Sequence, residues 1–344
     1  MNNYINTDVL IIGTGPVGLF AVFQCGMMNL TCHSVDALDH VGGQCIALYP
    51  EKPIYDIPAC PGILASDLIK NLEEQIKPLN PKFHLKQTVT SIEKLDSGSW
   101  KVITSKGKTF NAKTILIAAG VGAFGPNKPP LEGIEGYEGK SVFYYVKDRE
   151  KFRGKKIVIA GGGDSAMDWA ISLKNIAKKV YIVHRRDKFR ALPMSVTALN
   201  NAADKNEIEK VIPYQLKGIN GDGENLESVT VETLSGEERN IEADFLLPFF
   251  GLSTNLGPIS EWELGVKKSH IEIDPLTGKT NRDGIYAIGD IATYPNKLKL
   301  IMTGFSESAQ ATHSIRSYIH PNEVFHFEHS TTMGIPKANN NVKV

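Results

Sequence analysis

Five apolar runs punctuate the chain, at residues 9–12, 115–119, 157–160, 180–183 and 245–250. Each is short, uninterrupted and partly β-branched, the pattern of a strand buried on both faces of a parallel sheet. Helical periodicity fills several of the intervals between them, and that alternation predicts α/β layers joined by right-handed crossovers. Residues 85–102 and 229–239 alternate apolar and polar positions instead, so each α/β unit is expected to carry a small antiparallel addition. A strand running into a glycine turn occurs at residues 9–18 and again at 157–163, about 148 residues apart. The reading is a duplicated dinucleotide-binding unit, and a length of 344 residues suits two domains of ordinary size.

Composition narrows the class. The chain is 42% hydrophobic and 22% charged, values of a globular protein with a substantial core. Thirty-eight Lys and Arg balance thirty-eight Asp and Glu, which excludes a globally basic nucleic-acid binder. The uncharged stretch 9–30 is long enough to span a bilayer, but Gly13, Gly15, Pro16 and Gly18 interrupt it, so strand, turn and helix account for it better than a membrane span. The start, MNNYINTDVLII, has no basic n-region. The four cysteines, Cys25, Cys32, Cys45 and Cys60, form neither a CxxC pair nor a zinc pattern, which fits a reduced, cytoplasmic chain with no metal site.

The first glycine motif is Gly13-Thr14-Gly15-Pro16-Val17-Gly18, directly after a strand and opening an apolar helix to about Met28. Glycines at this spacing allow a tight turn, close backbone approach to a pyrophosphate and close packing of helix on strand, and the helix N-terminus offers N–H donors to the phosphates. The second strand, 31–35, ends in Asp36, where a carboxylate accepts from ribose hydroxyls; the alternative is a solvated strand end. The second motif is Gly161-Gly162-Gly163-Asp164-Ser165-Ala166, opening a helix through Ala177. The strand after it runs into His184-Arg185-Arg186-Asp187-Lys188-Phe189-Arg190, with cations where an NAD enzyme places an acid. Guanidinium forks suit the 2′-phosphate of NADP, so Arg185, Arg186 and Arg190 are the candidates, against a plain solvated basic turn.

Two nucleotide sites suggest a flavin enzyme fed by NADPH. The segment Thr280-Asn281-Arg282-Asp283-Gly284-Ile285-Tyr286-Ala287-Ile288-Gly289-Asp290, followed by a helical stretch near 303–319, resembles the Gly-Asp motif of flavoproteins with two dinucleotide-binding domains. That resemblance implies that Asp290 holds the ribityl chain of FAD. The stretch 115–125 resembles the same group's connection between domains and would put Phe124 beside the flavin, although an aromatic there is as often core.

The whole chain resembles the low-molecular-weight thioredoxin reductase architecture: two Rossmann-like domains, a discontinuous FAD-binding domain at 1–117 and 247–344 and an inserted NADPH-binding domain at 118–246. The redox CxxC of that group is absent, since no cysteine follows Cys60; near 141–149 stands SVFYYVKDR. A glutathione-reductase-type disulfide is excluded too, because Pro50 stands where Cys45 would need its partner. A Cys45–Cys60 bridge stays open. With the disulfide gone, the chain resembles the thioredoxin-reductase-like ferredoxin–NADP reductases of bacteria, through Val41-Gly42-Gly43-Gln44-Cys45-Ile46-Ala47-Leu48-Tyr49-Pro50-Glu51-Lys52, the block from Gly161 to Trp169, and His329-Ser330-Thr331-Thr332. The resemblance implies FAD contacts at Asp36, Gln44, Tyr49, Val89, Phe124, Asp290 and Thr331, with Tyr49 and His329 stacking on opposite faces of the flavin. His329 by itself reads as a surface histidine.

The implied reaction is hydride transfer from NADPH to FAD, then single-electron transfer to ferredoxin or flavodoxin, with no side chain acting as acid, base or nucleophile. A homodimer is also implied. Residues 139–156 hold seven basic and two acidic groups and 174–190 seven and one, so a basic face steering an acidic electron carrier is one expectation and ordinary solvated turns are the other. The rival readings are an NADPH-dependent flavin reductase acting on a low-molecular-weight disulfide, a quinone or a dye, and a non-catalytic FAD/NADPH-binding sensor. Cofactor motifs leave the acceptor open.

Overall fold

The computed structural model describes residues 4–323 and Gly334, and the chain divides into two compact units, Met1–Ala123 with Thr254–Val344, and Phe124–Ser253. Both are α/β, with parallel strands at the centre and an antiparallel addition at the side. In the first unit β1 (Ile5–Ile12) runs through the Gly13 turn into α1 (Pro16–Met27) and returns as β2 (Cys32–Val35). Helix α2 (Ala65–Ile76) precedes β3 (Lys82–His84), and a meander of β4 (Val89–Lys94), β5 (Trp100–Thr104) and β6 (Thr109–Ile117) follows. The sheet order is β3-β2-β1-β6-β5-β4, with the later strand Ile285–Ala287 pairing parallel to β6.

Continuous apolar sequence in β1 has a direct consequence, because successive side chains point to opposite faces. Val9 and Ile11 face one core with Leu116, Tyr286 and helix α1, whereas Leu10 and Ile12 face another with Ile115, Ile117 and Ile285. Both faces are covered, so neither tolerates a polar residue. Against the first face α1 buries Gly18, Leu19, Ala21, Val22 and Cys25, and α2 adds Leu68, Ile69, Leu72 and Ile76. The helix Ile301–Ile319 lies on the same side through Ala311 and Ile315.

The second unit repeats the arrangement with β7 (Lys156–Ala160), α3 (Asp164–Leu173), β8 (Lys179–Val183), α4 (Pro193–Asp204), β9 (Ile208–Val211) and β10 (Phe245–Pro248). All four strands are parallel, in the order β9-β8-β7-β10. Its antiparallel addition is the three-stranded sheet Gln215–Gly221, Leu226–Glu232 and Glu238–Glu242. The chain leaves and re-enters the first unit later than the end of β6 and the start of β10 suggest. Ala118 still donates to the Ile12 carbonyl at 2.8 Å, and Gly122 bridges Asn255, so these residues stay with the first unit. No described helix is long and apolar enough to cross a membrane.

Of the two expectations for the charge-rich stretches, the ion pairs favour ordinary solvated turns. Lys140 pairs with Glu224, Lys155 with Asp244, Lys156 with Glu242, Lys174 with Glu207 and Lys179 with Glu209, so acids distant in sequence cancel much of the basic surplus. Five of the fourteen basic groups in these stretches are thus neutralised by acids from elsewhere in the chain.

Gly18 lets α1 approach the first glycine turn backbone to backbone. A Cβ there would lie 2.1 Å from the Gly13 carbonyl oxygen, a backbone atom that cannot swing aside. Gly18→Ala should destabilise the protein by about 2 to 3 kcal/mol and lower Tm by about 5 °C, read by thermal denaturation; an unchanged Tm would show that α1 can lift off the sheet at little cost.

Candidate functional site

In the first unit four glycine segments meet at the start of α1. Gly13 has φ +107°, and a Cβ on it would lie 2.3 Å from the Ala118 carbonyl oxygen, so only glycine turns the chain there. The loop at Gly42 docks on this turn, its N–H donating to the Thr14 carbonyl at 2.8 Å, and a Cβ on Gly43 would be 3.0 Å from the Gly15 Cα. Gln44 reaches Gly120 with its side-chain amide, and Gly289 rests against Val17. Gly15 itself faces open space, with nothing within 4 Å of a Cβ, directly ahead of Pro16 at the first position of α1. The first-turn N–H groups of any α-helix lack intrahelical partners, so a cradle of glycine backbone and free donors stands at this end of α1.

Asp36 lies half-buried at the end of β2, as expected, but its carboxylate also has local work. It accepts from the Thr14 N–H at 2.6 Å, the Thr14 hydroxyl at 2.8 Å and the Leu38 N–H at 2.9 Å. Of roughly four acceptor positions on a carboxylate, two hold the glycine turn through Thr14 and a third takes the Leu38 N–H. Asp290 lies in a short 3₁₀ turn, Gly289–Ile291, and burial raises the pKa of its carboxyl against the nearby Lys299 and Lys297. Tyr49 packs against the α1 core with its hydroxyl 3.8 Å from the Cys45 thiol, and burial raises the pKa of that hydroxyl. Burial also pushes the Cys45 thiol up to about 11, so it is protonated at neutral pH and a poor nucleophile. Cys25, Cys32, Cys45 and Cys60 are all free. Val89 is 5% exposed and belongs to the core of the sheet's other face. His329, Thr331 and the side chain of Phe124 lie outside the described residues.

The second unit brings its candidates together by folding the segment after β8 back over the second glycine turn. Arg190 donates its backbone N–H to the Gly162 carbonyl at 2.7 Å. The His184 ring stacks on Phe189 with centroids 5.2 Å apart, and it fills the place a Cβ on Gly162 would take, 2.1 Å away. Burial, then the charges of Arg186, Arg185 and Arg190, lowers the His184 pKa and favours the neutral ring. Arg185, Arg186 and Arg190 are exposed, and among the described residues no ion pair engages them. Asp164, at the first position of α3, accepts from the Leu192 N–H at 2.7 Å, while Ser165 is exposed beside it. Gly161 packs against the Phe249 carbonyl, and Gly163, like Gly15, faces open space.

The profile of the family described as pyridine nucleotide-disulphide oxidoreductase matches residues 7–314. The chain belongs to the pyridine nucleotide-disulphide oxidoreductase family. It is 56% identical to a protein of Paramagnetospirillum magneticum named ferredoxin–NADP reductase, over 96% of this chain and 98% of that one. A Rhodospirillum rubrum protein of the same name is also 56% identical, over 96% and 97%. Among solved structures, thioredoxin reductase of Lactococcus lactis superposes with a TM-score of 0.80 at 27% identity, covering 92% of this chain and 99% of that one.

Membership brings FAD and NADPH as the cofactors, and the residues present fit both. Open space at Gly15 and at Gly163 leaves room for a pyrophosphate against each helix N-terminus, and the unpaired arginines supply charge for one phosphate more. Two residues had no individual reading from sequence. His184 carries a local signal, because it directly precedes the arginine pair; Glu307, beneath the Gly289–Asp290 turn, carries none.

Gly163→Ala should leave Tm within about 1 °C, since nothing meets the added methyl, yet weaken NADPH binding about tenfold or more by occupying the space for the phosphates. Thermal melts together with NADPH titration check it, and unchanged affinity would remove the turn from the site.

Proposed function

We propose that the chain is a ferredoxin–NADP reductase, with FAD held by the first unit through Gly13, Thr14, Gly15, Pro16, Gly18, Asp36, Gln44, Tyr49 and Asp290, and NADPH by the second through Gly161, Gly163, Asp164, Ser165, Arg185, Arg186 and Arg190. The carrying observation is that two glycine cradles coexist with a second unit that contains no cysteine at all, its residues falling after Cys60. A thiol relay therefore has no residues to run through in the unit assigned to NADPH. The Cys45 thiol, held protonated by burial, offers no thiolate on the other side. Relatives over half identical across nearly the full length and named ferredoxin–NADP reductase support the same acceptor.

Bound FAD supplies the ability to accept a hydride and return its two electrons singly, which couples NADPH to a one-electron carrier. This chain's residues then have three tasks. The first-turn amides of α1 and α3 receive phosphate charge at the positive end of each helix. Arg185 and Arg186 offer forked donors to the 2′-phosphate, the group that separates NADPH from NADH. Tyr49 and Asp290 frame the flavin end of the first site, and Val89, Phe124, His329 and Thr331 are assigned to it on family resemblance. That resemblance also supports flavodoxin as an alternative carrier and a homodimer, and four free cysteines suit the cytoplasm. Ion pairing of Lys140, Lys156 and Lys174 leaves the arginine cluster as a concentration of positive charge beside the second glycine turn.

Anaerobic NADPH should bleach the FAD absorbance of the loaded protein, and oxidised ferredoxin should restore it. Bleaching without restoration would overturn the acceptor in favour of a disulfide or quinone, and absence of bleaching would leave a sensor. Arg185→Ala/Arg186→Ala should lower kcat/KM for NADPH about 100-fold or more, since each charged hydrogen bond contributes about 1.5 to 3 kcal/mol, and change that for NADH less than about threefold; equal losses would remove these arginines from phosphate recognition.

A further inference from the structure

One buried carboxylate gathers three donors beneath the Gly289–Asp290 turn. Glu307, on the helix Ile301–Ile319, is 3% exposed. Its Oε2 accepts from the Gly289 N–H at 2.8 Å, and its Oε1 accepts from the Tyr294 hydroxyl at 2.7 Å and pairs with the Lys297 ammonium. Lys297 is buried as deeply as its partner. The three donors span residues 289 to 297 of one loop, so a single side chain ties both ends of that loop to the helix. Gly289 has φ +72°, a conformation without local support from a side chain, and the hydrogen bond to Glu307 stabilises it from outside.

The same helix grips the first glycine turn. A Cβ on Gly304 would lie 2.3 Å from the Val17 side chain, and the Ser308 hydroxyl donates to the Val17 carbonyl at 3.2 Å. Glu307 therefore sits between two contacts to α1 while holding the turn that carries Asp290. Packing alone does not call for this arrangement. Removing two charges from water costs several kcal/mol per ion, and apolar replacements of a buried pair are often neutral or stabilising. What apolar residues cannot do is accept the Gly289 N–H.

We propose that Glu307 is a positioning residue for FAD: by accepting the Gly289 N–H it fixes the Gly289–Asp290 turn in the conformation that meets the cofactor, with Tyr294 and Lys297 holding the carboxylate in place. This role rests on the assignment of FAD to the first unit. It differs from a purely structural role in depending on an acceptor atom rather than on charge or volume.

Two double variants separate these. Lys297→Met/Glu307→Met removes both charges and the acceptor while keeping volume; Lys297→Met/Glu307→Gln removes both charges but returns a carbonyl acceptor. Apoprotein titrated with FAD, followed by quenching of flavin fluorescence, should give a Kd raised about tenfold or more in the first, the expected scale for one unsatisfied buried donor, and within about threefold of wild type in the second. NADPH affinity should move in neither. Wild-type Kd in the Met/Met variant, or equal weakening in both, would overturn the role. If the Met/Met variant does not fold, Lys297→Met/Glu307→Gln decides: with both charges gone and the acceptor kept, a Kd within about threefold of wild type supports the role, whereas a Kd raised about tenfold or more overturns it. Wild-type apoprotein that takes up no FAD would overturn the cofactor assignment itself, a result distinct from uptake with equal Kd in every variant.

Discussion

The structure depends on backbone lying against backbone at the start of α1. Gly18 faces the Gly13 carbonyl and Gly13 faces the Ala118 carbonyl, each so closely that a methyl group has no place. Once α1 is seated that deeply, its N-terminal amides stand at the carboxyl edge of the sheet, and the remaining segments of the first site are arranged around it. The Gly42 loop hydrogen-bonds to Thr14, Asp36 caps the Thr14 amide, and the helix Ile301–Ile319 closes on Val17 through Gly304. A larger residue at any of these points separates elements that are far apart in sequence. The site is thus a consequence of close packing, with few side chains dedicated to it.

The second unit reaches the same end by a related route and diverges where specificity is decided. Gly161 packs on the Phe249 carbonyl, and Gly162 makes room for the His184 ring. The glycine turn and helix N-terminus are common to both units. What differs is the residue after the second strand: Asp36 in one unit, the Arg185 and Arg186 pair in the other. A carboxylate suits ribose hydroxyls and repels a phosphate, while guanidinium forks do the reverse. On the proposed assignment one backbone solution supports two chemistries, and the choice rests on charge at the strand end. The neutral total charge of the chain hides this contrast, because distant acids pair with Lys140, Lys156, Lys174 and Lys179 while the arginines stay unpaired among the described residues.

Most of the architecture was legible along the chain because it follows from local pattern. Uninterrupted β-branched runs became the parallel strands, two-period segments became the antiparallel additions, and glycine spacing marked both turns. Those signals survive in one dimension since each rests on neighbours within a few residues. Boundaries were less legible. The passage between units lies beyond the end of β6 because Ala118 and Gly122 are held by Ile12 and Asn255, partners that no local window contains.

By itself, the sequence determined the fold class, the positions of the two glycine turns, the acid and the arginines that follow the second strand of each unit, and the absence of a dithiol after Cys60. Tertiary structure alone decided three matters. It showed Asp36 to be a buttress of the glycine turn as well as a strand-end acid, since Thr14 folds back onto it. It removed much of the basic surplus by bringing acids such as Glu224 and Glu207 to lysines far away in the chain. It gave Glu307 a task, because a lone glutamate in an amphipathic helix reads as solvated until the fold places Gly289, Tyr294 and Lys297 around it. The physical reason is common to all three: a hydrogen bond or ion pair depends on distance in space, and only local spacing is written in the order of residues.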